Sequence, residues 1–233
     1  MAETRPSEQF DQHAQRYDEE LNRGLRVSGE TKEFFAKRRI AWLATQCERL
    51  GFRPRTVLDY GCGSGGATTS LLRDLGATSA IGLDVSSASL AIARRTQGDP
   101  ATRYLALDEY SPDGSVDLVF ANGVFHHIPP QERRSAATFI AECLRPGGLL
   151  AFWENNPLNP GTHYVMSRIP FDKDAVTLRS GQARSLLRSA GFEVIGTDYH
   201  FIFPKALQFL RRLEPHLVRL PIGAQYQVLC QRI

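Results

Sequence analysis

The most informative stretch of this chain is Val57-Leu-Asp-Tyr-Gly-Cys-Gly-Ser-Gly-Gly66. Its apolar beginning is typical of a buried strand, and the glycines that follow predict a tight turn into a helix. Gly61, Gly63 and Gly66 satisfy the pattern G-x-G-x-x-G, and Asp84 follows Gly66 by 18 residues. The same spacing occurs in dinucleotide-binding folds, so the glycines alone do not identify the ligand.

Outward from this turn, short apolar runs alternate with helical patterns. Strands are predicted over 56–60, 80–84, 104–107, 116–121, 149–153, 192–199 and 224–230. Helices are predicted over 28–50, 67–75, 87–96, 131–144 and 179–190, with a weaker helical pattern over 11–21 and a loop over 155–162. The alternation indicates an α/β protein with parallel βαβ units, closed by an antiparallel pair of strands.

The composition is that of an ordinary globular protein. The chain has 233 residues, of which 42% are hydrophobic and 23% charged, and its net charge is only +3. Disorder is excluded as the main state, and no polyanionic partner is required. The four cysteines form no C-x-x-C pair, which predicts no metal site and a reducing, cytoplasmic location. We expect neither a signal peptide nor a membrane-spanning helix.

Acidic residues at three predicted strand ends indicate the chemistry of the ligand. Asp59 precedes the first glycine by two residues, and its carboxylate would repel a pyrophosphate but attract an ammonium group. Asp84 can accept hydrogen bonds from both hydroxyls of a ribose, and Asp108 can meet the amino group of an adenine. The three positions favour a ligand that carries a cation, a ribose and an amino group.

Four segments resemble the motifs of class I S-adenosylmethionine-dependent methyltransferases of the small-molecule type. They are Val57-Leu-Asp-Tyr-Gly-Cys-Gly-Ser-Gly65, Ile81-Gly-Leu-Asp-Val-Ser86, Asp117-Leu-Val-Phe-Ala-Asn-Gly-Val-Phe-His-His127 and Leu144-Arg-Pro-Gly-Gly-Leu-Leu150. The resemblance covers about residues 56–153. It implies a three-layer α/β sandwich around a seven-stranded, mostly parallel sheet with an antiparallel last strand, and S-adenosylmethionine as cofactor.

The resemblance also implies which residues contact the cofactor. The segment Phe10-Asp-Gln-His-Ala-Gln-Arg-Tyr17 is similar to an entry helix whose tyrosine reaches the methionine carboxylate. The expected cofactor-binding residues are Tyr17, Asp59, Gly61, Cys62, Gly63, Asp84, Val85, Asp108, Glu109 and Asn122.

Candidate catalytic and acceptor-binding residues follow the fourth and fifth strands. Methyl transfer needs a base only when the acceptor carries a proton, and His126 and His127 are the candidates. The alternative for this pair is packing or helix capping. The expected acceptor-binding residues are Glu154, Asn155, Asn156 and His163, and the alternative is a turn that satisfies its own backbone.

The chain is predicted to form one methyltransferase domain over 1–233. It comprises a helical cap at 1–50, a cofactor-binding core at 51–154, and a C-terminal part at 155–233. Within the last part, apolar residues at helical spacing over 200–223 predict an amphipathic segment. This segment is interpreted as a helix packed on the sheet edge, a lid over an apolar acceptor, or an interfacial helix that makes peripheral lipid contact.

The resulting functional hypothesis is a methyltransferase of the EC 2.1.1 class. Its acceptor is an oxygen, nitrogen or carbon atom of a small molecule, with a secondary metabolite or a lipid-like molecule as candidates. No basic stripe with interleaved aromatic residues supports nucleic-acid binding. The alternatives are a nicotinamide-dependent oxidoreductase and a non-catalytic S-adenosylmethionine-binding subunit. The sequence does not predict an oligomeric state.

Overall fold

A computed structural model describes residues 6–233. The first five residues, which belong to the predicted cap, lie outside the described part. Seven strands form one sheet in the order β3-β2-β1-β4-β5-β7-β6. All pairs from β3 to β5 are parallel, whereas β7 is antiparallel to both of its neighbours. The strands are β1 (Thr56–Tyr60), β2 (Ser79–Asp84), β3 (Thr102–Ala106), β4 (Val116–Asn122), β5 (Leu144–Asn155), β6 (Phe192–His200) and β7 (Gln225–Arg232).

Helices cover both faces of this sheet. The α-helices are α1 (Pro6–His13), α2 (Tyr17–Leu25), α3 (Lys32–Arg49), α4 (Gly66–Asp74), α5 (Ser87–Thr96), α6 (Arg133–Cys143), α7 (Pro160–Met166), α8 (Ser180–Ser189) and α9 (Glu214–Leu217). Short 3-10 turns occupy Arg26–Ser28, Leu107–Glu109, Pro170–Asp172 and Lys205–Leu213. The predicted α/β architecture and the antiparallel last strand are confirmed.

The two larger apolar clusters of the core lie on opposite faces of the sheet, and a smaller one contains Cys62 and Tyr104. On one face, α6 and α8 pack on Leu58 and Phe152, and on the other, α3 and α4 pack on Val57 and Trp153. Because neighbouring strand residues point to opposite faces, Leu58 and Val57 belong to different clusters. This double coverage explains why the central strands are continuous apolar runs.

Three local predictions differ from the structure. The pattern over 11–21 is interrupted between α1 and α2, and α7 begins within the predicted loop 155–162. The segment 200–223 forms a 3-10 turn and the short α9 instead of a continuous helix, and Leu207 and Leu213 on its expected apolar stripe are exposed. Proline residues at 204, 215 and 221 explain this outcome, since proline interrupts helical hydrogen bonding.

Across the described residues, no helix combines the length and apolar character needed to cross a lipid bilayer.

Candidate active site

The glycine turn is held in place by the end of β2. The amides of Gly61 and Cys62 donate to the Leu83 carbonyl at 2.8 and 2.9 Å, and the Gly63 amide donates to Oδ2 of Asp84 at 2.8 Å. Gly61 has φ +76°, and a Cβ there would lie 2.4 Å from a methyl group of Val124. A side chain at this position would therefore clash as well as strain the backbone.

The same turn leaves open space for a ligand. Gly63 has φ +53°, and no atom lies within 4 Å of the position that a Cβ would occupy. A backbone without side chains beside open space is the arrangement that lets a ligand approach the main chain closely. This cradle fits the methionine part of S-adenosylmethionine.

Asp84 connects the glycine turn to the N-terminal helices. Its Oδ1 accepts the Ser86 amide at 2.8 Å, and the Ser86 hydroxyl donates to Asp11 of α1 at 2.6 Å. Asp11 also accepts the Ala88 amide at 3.1 Å, which fixes α1 to the start of α5. Burial raises the pKa of Asp84, against the hydrogen bonds from Ser86 and Gly63.

Asp59 is buried on the face of the sheet that α4 covers. Its Oδ2 accepts the Thr68 hydroxyl at 2.7 Å. Burial raises the pKa of Asp59 to about 7, with a further contribution from the negative charge of Asp84. A cationic ligand at the turn would therefore stabilise the ionised form of Asp59.

The other predicted cofactor residues lie around this turn with different exposure. Cys62 is buried against Tyr104, whereas Val85 is 43% exposed. Asp108 and Glu109 lie in the 3-10 turn after β3 and are exposed, and Glu109 accepts the Ala106 amide at 2.9 Å. The structure thus couples Asp59 with Asp84 and leaves Asp108 at the surface.

A cavity of about 360 Å³ opens beside the carboxyl end of β4. Tyr17, Arg39, Asn122 and Gly123 line it. Oδ1 of Asn122 and both Nε and Nη1 of Arg39 are buried without a hydrogen-bond partner among the described residues. Burial lowers the pKa of Arg39 to about 10, so the side chain is still a cation at neutral pH. A buried cation and amide without partners fit the charged end of an amino acid.

His126 forms the centre of a buried ionic cluster that also lines this cavity. Its Nδ1 lies 2.6 Å from Oε2 of Glu154, whose Oε1 accepts the Phe125 amide at 2.7 Å. Its Nε2 lies 3.7 Å from Oδ1 of Asp172. Burial opposes the charge of the imidazole, but the two carboxylates outweigh burial and raise the pKa of His126 to about 10.

His127 has the opposite electrostatic environment. Its Nε2 lies 3.4 Å from Oδ1 of Asp172, and its ring packs edge-on against Phe10 at 5.1 Å. Burial, together with the positive charge of His126, lowers the pKa of His127 well below its usual value. His127 is therefore neutral at physiological pH and has one unprotonated ring nitrogen.

Potential donor atoms of His126, His127 and Asp172 lie within 4.8 Å of one another. Two imidazoles and a carboxylate form a donor set that can hold a divalent cation. The same arrangement also has an explanation that needs no metal ion, because the positive charge of His126 pairs with the carboxylates of Glu154 and Asp172.

The predicted acceptor-binding residues separate into different roles. Asn155 lines the cavity, and Glu154 contacts His126 behind it. Asn156 donates to the carbonyls of Pro221 and Gly223 and thereby fixes a turn. Oxygen of Pro157 lies 2.7 Å from Nε2 of His163, which is exposed. Neither Asn156 nor His163 lines the cavity. Both therefore fit the alternative, a turn whose side chains form hydrogen bonds with backbone groups nearby.

Two residues that sequence reasoning missed are central to the site. Arg39 lies four residues after Phe35 and four before Leu43, on the apolar side of α3. A cation within an apolar stripe was a usable signal for a buried ligand contact. Asp172 had no comparable signal, because its two histidine partners are more than 40 residues away in the chain.

Comparisons with known proteins agree with this geometry. Residues 57–148 match the profile of a methyltransferase domain. A trans-aconitate 2-methyltransferase of Methylobacterium nodulans is 32% identical over 60% of this chain and 53% of its own length. One from Acidovorax sp. is 28% identical over 77% and 78%, respectively. The chain spans about half the length of most of the curated relatives it matches.

Solved structures give the same fold. The crystal structure of a methyltransferase from Thermotoga maritima, described as S-adenosylmethionine-dependent and a possible histamine N-methyltransferase, superposes with a TM-score of 0.65. The identity is 20%, and the alignment covers 98% of this chain and 100% of that one. At this identity, the comparison concerns the fold.

The chain therefore contains a methyltransferase domain with the class I fold, and the predicted resemblance is confirmed. Solved structures with this fold from Mesorhizobium loti and Listeria monocytogenes are described as S-adenosylmethionine-dependent methyltransferases, which agrees with the expected cofactor.

Proposed function

We propose that this protein transfers a methyl group from S-adenosylmethionine to a proton-bearing oxygen or nitrogen atom of a small molecule. The observation that carries the proposal is a continuous cavity lined at one place by Arg39 and Asn122 and at another by His127. One side of this cavity fits the amino acid end of the cofactor, and the other offers a neutral base.

The residues of the chain have distinct roles toward the cofactor. Arg39 and Tyr17 hold the methionine carboxylate, Asn122 contacts the same end, and Asp84 accepts the ribose hydroxyls. Asp59 stabilises the ammonium group from beneath the glycine turn. When bound, S-adenosylmethionine would supply an activated methyl group with the neutral thioether sulfur as its leaving group.

His127 removes the proton that the acceptor loses. Oδ1 of Asp172 lies 3.4 Å from Nε2 of His127 and favours a proton on that nitrogen, so that Nδ1 is the atom that accepts the proton of the acceptor. The His126–Glu154 pair fixes the neighbouring ring and the backbone at Phe125. Alignment of the two reacting atoms in the cavity supplies most of the acceleration, because the leaving group is already activated.

Calorimetry with S-adenosylmethionine, S-adenosylhomocysteine and NAD tests the proposal together with the variant Arg39→Met. We expect wild-type protein to bind both sulfur compounds and not NAD. Arg39→Met should weaken cofactor binding by at least about tenfold, because a charge-assisted hydrogen bond contributes about 1.5–3 kcal/mol. Lys37→Met, an exposed change on the same helix, is the matched control.

Release of S-adenosylhomocysteine in the presence of small-molecule acceptors then measures turnover. NAD binding without S-adenosylmethionine binding would establish the oxidoreductase alternative. Cofactor binding without any release of S-adenosylhomocysteine would favour the non-catalytic subunit.

A further inference from the structure

The walls of the cavity are mainly apolar and come from separate parts of the chain. Leu21 and Leu25 on α2 face the same space as Phe35 on α3, Val165 on α7 and Phe203 before the 3-10 turn. A volume of about 360 Å³ is within the range of about 300–1,000 Å³ that is typical of small-molecule sites. Such walls favour a ligand that buries apolar surface against them.

Cations at the cavity wall are already engaged. Nη1 of Arg211 lies 2.8 Å from Oε1 of Glu30, and Lys32 forms an ion pair with Asp18. Of the lysine and arginine side chains that line the cavity in the described part of the chain, that of Arg39 has no carboxylate partner. The proposed function assigns Arg39 to the cofactor.

Glu214, another charged residue of the wall, is equally satisfied. It accepts the amides of Ile202 and Phe203 at 3.1 Å and pairs with Arg38 at 2.9 Å. A ligand therefore gains no ionic partner from it.

The ionic cluster near His127 also has no surplus positive charge. The positive charge of His126 lies between two carboxylates, those of Glu154 and Asp172. Arg133 donates to the backbone carbonyls of Ile128 and Val176 and does not line the cavity. A negatively charged acceptor beside His127 would meet the carboxylate of Asp172 without a free cation to offset it.

We infer that the acceptor of this methyltransferase is a predominantly apolar, uncharged molecule with one hydroxyl or amine near His127, and not a tricarboxylate such as trans-aconitate. This inference rests on the proposed function. A trianion would lose the hydration of three carboxylates on entering the cavity and would find no spare lysine or arginine there. An apolar molecule would lose little hydration and would bury its surface against α2, α3 and α7.

Binding to protein loaded with S-adenosylhomocysteine tests this inference. The probe is N-phenyl-1-naphthylamine, a neutral dye that fluoresces in apolar surroundings, and the competitors are 2-naphthol and trans-aconitate. We expect saturable dye binding, displacement by 2-naphthol, and no displacement by trans-aconitate at the same concentration. The inference is overturned if the dye does not bind or if trans-aconitate is the better competitor.

Substitutions in the wall locate the bound dye. Val165→Asp should weaken dye binding by at least about tenfold, because burying an unpaired carboxylate costs more than the 1.4 kcal/mol that corresponds to that factor. Leu25→Asp is a second variant on another helix. The matched control, Tyr164→Asp, changes a 46% exposed neighbour on α7 and should stay within about twofold of wild type. If folded Val165→Asp and Leu25→Asp both bind the dye as wild type does, the cavity is not the site.

The same protein preparations separate this inference from the proposed function. If the protein binds S-adenosylmethionine but methylates trans-aconitate faster than 2-naphthol, the proposed function is supported and the inferred class of acceptor is wrong. Absence of S-adenosylmethionine binding would refute the function, whereas the dye measurements would still report the chemistry of the cavity.

Discussion

His126 and His127 are neighbours in the chain, yet their pKa values move in opposite directions. His126 lies between two buried carboxylates, which stabilise its charge, whereas His127 is buried beside that charge and lies near one carboxylate, that of Asp172. The two residues therefore divide into a buried cation and a neutral imidazole. The sequence names both as candidates but cannot separate them, since their partners come from β5 and from the turn Pro170–Asp172.

At the scale of a single residue, the raised pKa of Asp59 predicts that the affinity for the cofactor depends on pH. The pKa of Asp59 is about 7 in the free protein, so its carboxylate forms mainly above pH 7. We expect the affinity for S-adenosylmethionine to increase roughly five- to tenfold from pH 6 to pH 7.5, because the ionised fraction rises by that factor. Calorimetry at a series of pH values measures this change.

The variant Asp59→Asn is the control for this prediction. It keeps the size of the side chain but has no titrating group, so its affinity should vary less over the same range. Equal slopes for wild type and Asp59→Asn would show that another group is responsible.

Among the elements, α1 is joined to the start of α5 by the side chain of Asp11. Asp11 accepts hydrogen bonds from the Ser86 hydroxyl and the Ala88 amide, and Phe10 beside it packs on His127. The helix has eight residues, which is too short to be stable without tertiary contacts. Contact with the start of α5 therefore couples the N-terminal helices to the strand end that carries Asp84.

Asp11→Ala should release α1 from this contact. Loss of two hydrogen bonds on a largely solvated carboxylate costs about 0.5–1.5 kcal/mol, which corresponds to several-fold faster amide exchange over Pro6–His13. Hydrogen exchange followed by mass spectrometry measures it. Gln12→Ala, an exposed change on the same helix, is the control, and identical exchange in the two variants would contradict the role of Asp11.

The segment 200–223 shows how element prediction fails where spacing is the only guide. Its leucines recur at helical intervals, but proline residues interrupt the helix, and the resulting turn exposes Phe209 and Leu213 while it buries Glu214. The cost of burying Glu214 is offset because its carboxylate accepts hydrogen bonds from two backbone amides and pairs with Arg38. The wall of the cavity formed by this segment is thus fixed by a buried carboxylate, which periodicity does not reveal.

For the whole molecule, the cavity exists because three distant segments meet beside β4. These are the N-terminal helices, the region between β5 and α8, and the connection between β6 and β7. The sheet brings them together, since β7 lies between β5 and β6. Acceptor selection and cofactor binding therefore depend on the same tertiary arrangement.

Stability of the whole molecule should decrease in acid partly because of His200. Its ring is buried between Trp42 and Trp153 at 4.8 and 4.9 Å, and Nε2 has no partner among the described residues. Burial, with a smaller effect of Arg38, lowers the pKa of His200 to about 3. Below pH 6.5 the imidazole of His200 is protonated in the unfolded chain but stays neutral in the folded protein. The free energy of unfolding therefore falls by up to about 1.4 kcal/mol per pH unit.

His200→Phe removes this titration and keeps an aromatic ring. Urea unfolding at pH 8, 6.5 and 5 should show that wild type loses up to about 2 kcal/mol more than the variant between pH 6.5 and 5. At pH 8 the histidine is neutral in both states, so that measurement isolates packing. Parallel losses in the two proteins would exclude His200 as a source of acid sensitivity.

Much of the fold was predictable because its signals are local. The strand β1 and the helix α5 have their predicted limits, and the glycine turn has the left-handed conformations that its residues allow. Asp84 was predictable as a strand-end acid, and the structure adds that it holds the glycine turn through the Gly63 amide. The sequence could not predict that Asn156 and His163 lie outside the cavity lining, because side-chain direction in a loop depends on what packs against it.

By itself, the sequence determined the class of fold, the position of the cofactor turn and the presence of two candidate bases. These features follow from periodicity, from glycine and from strand ends, all of which act over a few residues. Only the tertiary structure decided that Arg39 is a buried cation without a partner in the described part of the chain, that Glu154 contacts His126, and that the cavity wall is mainly apolar. Burial and charge at these positions are set by residues far apart in the chain, because the protein interior removes water and replaces it with whichever groups the fold brings into contact.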